Sequence, residues 1–206
     1  MTSTRAYGGQ SAEARRAGRR ERLMDAAYTL LTEHGPAALT VTGVCGAAKL
    51  TARYFYEHFD NREALVQAIV EAETDAVIEA TLAAALTAEG GPQERAVAAT
   101  RALLATTDAD PRRLRMAQEH DELVLRMRQV VADRMVERLV EHAEVAWGPM
   151  AGDVRPERLR LAASLAVGGV LQLVADWAAG QTAMDRDELA EVAARFAVQT
   201  GIAVLS

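Results

Sequence analysis

Residues 51–59 read Thr-Ala-Arg-Tyr-Phe-Tyr-Glu-His-Phe, and Arg53, Tyr54, Tyr56 and His58 set a guanidinium beside two phenols and an imidazole. All four donate hydrogen bonds from side-chain tips, the chemistry that pairs with phosphate oxygens and base edges. The segment is predicted as one short helix, Thr51–Phe59. With Phe55 and Phe59, four apart, facing inward, Arg53 and Tyr54 face outward. Arg53 is the candidate for base readout, because Arg pairs bidentately with guanine; the alternative is a solvated arginine. Tyr56 and His58 diverge by about 200° around the helix. That spread straddles a row of phosphates, or leaves one of the two packed on the preceding helix.

The surrounding residues supply elements to position this helix. Thr40 is the predicted N-cap of a helix Val41–Ala48. The N-terminus of that helix, with Thr40 and Thr42, can approach a phosphate. Gly43 and Gly46 weaken it by about 1 kcal/mol each, so packing must hold it. Lys49 and Leu50 make the turn, and Thr51 caps the next helix, whose first residue is Ala52. Upstream, a helix Ala17–His34 carries Leu23, Ala27, Leu30, Leu31 and His34 on one stripe. Gly35 ends it in the left-handed conformation and Pro36 prevents continuation. Asp60 or Asn61 caps a fourth helix that Leu65, Val66 and Ile69 anchor. Residues 1–16 are predicted as a flexible arm. Arg15, Arg16, Arg19 and Arg20 add phosphate contacts or form a solvated face.

The stretch Leu39-Thr40 … Tyr54-Phe55-Tyr56-Glu57-His58-Phe59-Asp60-Asn61-Arg62-Glu63-Ala64-Leu65 resembles the TetR-like bacterial helix-turn-helix transcriptional regulators. The resemblance covers about residues 17–68. It recurs more weakly at Leu165–Gly180, where Ala166-Val167-Gly168-Gly169 and Trp177-x-x-Gly180 look like the family's penultimate helix. It implies an all-α fold: a three-helix helix-turn-helix DNA-binding domain over 17–64, and a larger helical effector-binding and dimerisation domain over 65–206. It implies a homodimer on double-stranded operator DNA, with recognition helices in consecutive major grooves, released by an unknown small-molecule effector. The DNA-binding positions it implies are Thr40, Thr42, Lys49, Thr51 and Ala52, with Arg53, Tyr54, Tyr56, His58 and Arg62. The family commonly has Gly where this chain has Lys49; a positive φ there costs Lys about 1 kcal/mol. Glu57 and Ala52 sit where other members often have basic or polar groups.

The rest of the chain reads as helices at about Gln93–Thr106, Pro111–Gln118, Asp121–Trp147 and Pro156–Ala179, with a loop at Gly148–Arg155. A last helix is capped by Asp185, with Glu188 at the third position and Met184 and Leu189 as a staple. Pocket candidates are Met116, Glu119, His120, Leu123 and Met127, with Trp147, Gln172 and Trp177. Dimer-interface candidates are Leu161, Leu165, Gly168, Gly169 and Leu171 on one helix and Leu189, Val192 and Phe196 on the next. Mid-helix Gly168-Gly169 calls for close approach by a partner helix or a ligand, and the dimer partner is the favoured reading.

Composition agrees with a helical, DNA-contacting protein. Ala and Leu dominate, favouring helix. Residues 1–62 carry nine basic and six acidic side chains, a net of +3, and residues 63–206 carry fourteen and twenty-three, a net of −9. A basic head on an acidic body suits local phosphate contact, and an acidic body leans toward a neutral or cationic effector. Cys45, the single cysteine, excludes an intramolecular disulfide and fits a reducing cytoplasm. Leu161–Gly180 is apolar but interrupted by Ser164, Gln172 and Asp176, so no membrane partner is expected. No metal-ligand spacing, P-loop, nucleophile elbow or dinucleotide loop stands out, so neither cofactor nor enzyme activity is expected. The readings left beside the repressor are a transcriptional activator of the same fold and a helical protein-interaction module.

Overall fold

The computed structural model describes residues 11–110, 112, 122–152 and 154–206. It divides into two compact units, 1–69 and 70–206, and the described residues are helical throughout, as the sequence led us to expect.

In the first unit, α1 (Ala12–His34) begins five residues before its predicted start. Ser11 is the reason: its hydroxyl accepts from the Ala14 N–H at 3.0 Å and caps the helix. Arg15 and Arg16 therefore lie on a helix, not in an arm. Leu23, Ala27 and Leu31 are buried as predicted, while His34 is exposed and the stripe runs through Tyr28 and Thr32. Gly35 ends α1 with φ 76° and ψ 174°, so its φ is positive but its ψ is extended. A 3₁₀ turn, Pro36–Ala38, follows. α2 (Val41–Ala48) starts as expected, with the Thr40 hydroxyl accepting from the Gly43 N–H at 3.0 Å. Gly43 is needed there, since a Cβ would come within 2.8 Å of the Ala38 carbonyl oxygen.

Lys49 takes φ 52° and ψ 45° and is the one positive-φ residue other than Gly among the described residues. The Leu50 N–H reaches the Cys45 carbonyl at 2.9 Å and the Lys49 N–H reaches Gly46 at 3.2 Å, a Schellman closure that satisfies the last carbonyls of α2. α3 spans only Ala52–Tyr56, and turns carry the chain to Phe59. Thr51 occupies the N-cap position, but its side chain makes no capping bond. Asn61, not Asp60, caps α4 (Arg62–Thr87), its Oδ1 accepting from Ala64 at 2.8 Å. Leu23, Leu39, Val44, Phe55, Phe59 and Leu65 are the buried centre of this unit.

In the second unit, α5 runs Pro92–Ala109, one residue earlier and three later than predicted. The Glu94 carboxylate closes its first turn by accepting from the Gly91 N–H at 2.9 Å. The predicted helix Pro111–Gln118 falls, apart from Arg112, outside the described residues. The predicted long helix to Trp147 is two: α6 (Glu122–Glu141) and α7 (Ala143–Trp147), broken at His142. The break lets Trp147 turn inward. Its ring is 2% exposed, its N–H donates to the Ala197 carbonyl at 3.1 Å, and a Cβ on Gly201 would sit 2.1 Å from its Nε1. Burying an indole with its polar atom satisfied outweighs one interrupted helical turn.

A 3₁₀ turn at Gly148–Ala151 precedes α8 (Pro156–Ala178), and Asp185 caps α9 (Arg186–Leu205) by accepting from the Glu188 N–H at 2.9 Å. α8 and α9 pack against each other, and Ala162 and Ala163 on the one and Ala193 and Ala194 on the other are fully buried. α8 is long and apolar enough to cross a membrane by length and composition, with 22% of its most apolar window buried within the chain.

Candidate nucleic-acid interface and ligand cavity

In the head, Thr40, Thr42, Lys49, Thr51, Ala52, Arg53 and Tyr56 are all exposed and lie on α2, α3 and the turn between them. The structure thus places these seven predicted contacts on the solvent side of the helix-turn-helix. Tyr56 is 60% exposed, its ring edge-on to buried Phe55 with centroids 5.3 Å apart. The phenol therefore stands out from a rigid base. Arg62, also exposed, starts α4 and pairs with Glu63 at 3.4 Å.

The other two residues turn toward α1. Tyr54 is half-buried beneath Arg19, whose guanidinium lies 4.7 Å from the ring centroid. His58 is half-buried too, and its Nε2 is shut from solvent with no hydrogen-bond partner among the described residues. Burial pushes the His58 imidazole below its ordinary value, and Arg16, Arg19 and Arg20 push the same way against Glu57. His58 thus takes the packed alternative of the two open from sequence.

Arg16, Arg19 and Arg20 hold the recognition helix from α1. Arg16 donates to the Glu57 carbonyl at 3.3 Å, and Arg20 lies 5.4 Å from the Phe59 centroid. Arg22 donates to the Ala48 carbonyl at the end of α2. Glu57 is the acidic centre of this arrangement, paired with Arg53 at 3.2 Å and Arg19 at 3.9 Å. Sequence reasoning gave Glu57 no role, although its i,i+4 spacing from Arg53 was the available signal. Cys45 is buried, which pushes its thiol up and away from reactivity.

The second unit carries a partly open cavity of about 190 Å³. Its walls are apolar faces of α4 to α9, with Trp147, Leu103, Leu139 and Val170 among them and Arg95, Arg138 and His142 as its ionisable members. Of the pocket candidates, Trp147 is in the lining. Gln172 and Trp177 are not in the lining. Gln172 is exposed and donates to Asp176 at 2.6 Å; Trp177 packs on Met184 with its N–H on that residue's carbonyl at 3.2 Å. The cavity-facing stripe of α8 is Ala166, Val167, Val170 and Leu171, and position 172 lies about 100° further round. Met116, Glu119 and His120 lie outside the described residues; Leu123 and Met127 fall on α6 with their side chains outside that description.

Of the predicted interface, Leu161 (53%), Leu165 (47%) and Phe196 (41%) are exposed, as is Gly168. Val192 is half-buried. Leu189 is fully buried in the chain's own core beside Leu104 and Val174, and Leu171 faces the cavity, so neither can form an outer surface. Gly169 is approached from within the chain, not by a partner helix: a Cβ there would lie 2.1 Å from the Phe196 ring. Among the described residues, nothing comes within 4 Å of a Cβ placed on Gly168.

Residues 23–69 match the bacterial regulatory proteins, tetR family. A repressor of Rhodococcus jostii (strain RHA1), HTH-type transcriptional repressor KstR2, is 38% identical over 60 residues; the match spans 29% of this chain and 29% of that protein. The fatty acid degradation regulator FadR from Bacillus halodurans superposes with a TM-score of 0.68 at 17% identity, covering 87% of this chain and 94% of that one. FadR from Bacillus subtilis in complex with stearoyl-CoA does so with a TM-score of 0.58 at 16% identity, covering 87% and 98%. These two likenesses establish the fold.

Proposed function

We propose that this chain, whose amino-terminal domain is a helix-turn-helix of the tetR family, is a ligand-responsive transcriptional repressor, a homodimer that leaves its operator when a small molecule fills the cavity. One observation carries the reading: exposed hydrogen-bond donors stand on a helix whose inner side is clamped by Phe55, Phe59 and the α1 arginines. Donors on a rigid, positioned helix lose little entropy on docking into a groove. In this reading Arg53 reads base edges, while Tyr56, Thr40, Thr42, Lys49 and Arg62 hold phosphates. Thr51 and Ala52 line the approach, and Tyr54 and His58 position the helix from within.

The cavity supplies the switch. A ligand that fills this apolar space of about 190 Å³ removes apolar surface from water on entry. FadR from Bacillus subtilis, which shares this fold, is in complex with stearoyl-CoA, which supports a small-molecule ligand. Release requires only that the ligand prefer the unbound state; a preference of about 1–3 kcal/mol weakens operator binding roughly 5–150-fold. Leu161, Leu165 and Gly168 with Phe196 form the exposed apolar face assigned to the second subunit. The protein works in the cytoplasm, and no catalytic step is assigned to it.

The test is selection of bound sequences from random DNA, then fluorescence anisotropy with Arg53→Ala and Tyr56→Ala. Arg53→Ala should weaken specific binding by about 1–3 kcal/mol and relax one base position. Tyr56→Ala should weaken all sequences alike. A folded dimer that enriches no sequence would end the proposal.

A further inference from the structure

We infer that the cavity takes an apolar monocarboxylate of roughly ten heavy atoms, held at its charged end by Arg95. This rests on the cavity being the effector site. Its described ionisable lining is Arg95, Arg138 and His142, with no acidic side chain. Two of the three have bonds. Arg138 donates to Glu141 at 2.9 Å, and its carbonyl, which can only accept, takes the His142 Nδ1 proton at 3.0 Å. The Arg95 Nε, by contrast, is shut from solvent and has no hydrogen-bond partner among the described residues. A closed-off guanidinium nitrogen without an acceptor is costly, and a carboxylate supplies two acceptor oxygens to its fork. The lining hydroxyls are already committed as donors, Thr81 to Val77 at 2.9 Å and Thr100 to Ala96 at 2.8 Å.

Charge and size narrow the class. One cation without a partner balances one negative charge; a second charge on the ligand would be desolvated without compensation. The remaining walls are alkyl and aromatic, which fit a hydrocarbon tail. An apolar cavity of roughly 150 Å³ holds benzene, so about 190 Å³ suits a tail of several carbons.

The experiment is calorimetry on the full chain without DNA, using octanoate, 1-octanol and octylamine, which share one tail and differ in head-group charge. Octanoate should bind about tenfold or more tighter than octanol, and octylamine weakest. Arg95→Gln should erase the octanoate preference and leave octanol binding in place; Arg95→Lys, which keeps the charge but not the fork, should keep part of it. Octylamine binding as tightly as octanoate, none of the three binding, or an unchanged ratio in Arg95→Gln would overturn the inference. If Arg95→Gln does not fold, the rank order in the native chain decides. Operator release is read separately. Octanoate binding without release leaves the ligand assignment standing and removes the regulatory reading; specific DNA binding with no carboxylate binding does the reverse.

Discussion

Replacing Glu57 by Gln should strengthen DNA binding. Glu57 is the one acidic group on α3 and its end, paired with Arg53 at 3.2 Å and Arg19 at 3.9 Å, and its side chain is 36% exposed. On a surface that meets phosphates, its charge repels them and restrains the nearest arginine. A unit charge in water contributes about 1 kcal/mol at 4 Å and half that at 8 Å. Freeing Arg53 from an i,i+4 pair adds a few tenths of a kcal/mol. Together these give about 1 kcal/mol, or roughly fivefold tighter binding at low salt, fading as salt screens it. Stability should change little, because the Arg53 pair is exposed and the half-buried Arg19 pair is long at 3.9 Å. The Arg16 bond goes to the Glu57 backbone carbonyl and survives the substitution. Anisotropy over a salt series, on one selected site and one scrambled duplex, reads the effect. The gain should appear on both, since charge carries little sequence information. Unchanged or weaker binding by folded Glu57→Gln would refute the placement of α3 against phosphates.

Three further outcomes are expected. Lys49→Gly should raise the unfolding midpoint by about 2–4 °C, the equivalent of about 1 kcal/mol released from the left-handed backbone at φ 52°, while lowering the salt slope of DNA binding by about 0.9 through loss of one phosphate contact; a lower midpoint would mean the Lys side chain stabilises the turn. Leu165→Glu, placing a charge on the exposed apolar face of α8, should give a folded monomer by light scattering, and a persistent dimer would locate the interface elsewhere. His58 has a folded-state pKa lowered from 6.5 by burial and by Arg16, Arg19 and Arg20; below pH 6.5 the unfolded chain takes up its proton first, so stability should fall as pH drops through that value, and His58→Asn should flatten the decline.

The head was readable from sequence because its signals are local. Thr40 before an apolar run, Phe55 and Phe59 four apart, and Asn61 before α4 each specify their own neighbourhood. The body was readable as helices but not as surfaces. Leu171, Gln172 and Leu189 are a cavity wall, a solvent-exposed residue and a core residue, and no periodicity on one helix says which neighbour each face meets. Breaking the helix at His142 rests on Trp147 meeting Gly201, a contact more than fifty residues apart in sequence. The role of Arg16, Arg19 and Arg20 was hidden for the same reason: their partners, the Glu57 carbonyl and the Tyr54 and Phe59 rings, lie on α3 or just after it.

Net charge and the cavity's own lining point to different effector classes. Residues 63–206 sum to −9, and that sum leaned toward a neutral or cationic effector. The sum is dominated by solvated carboxylates such as Glu144 and Glu191, which screening weakens at the cavity. What a ligand meets is the short list of groups that line its site, and there the only fixed charges described are Arg95 and Arg138. A surface total bears on solubility and on encounter with DNA. The affinity of a lined cavity depends instead on which of its buried polar atoms still lacks a partner, and among the described lining residues that atom is the Arg95 Nε.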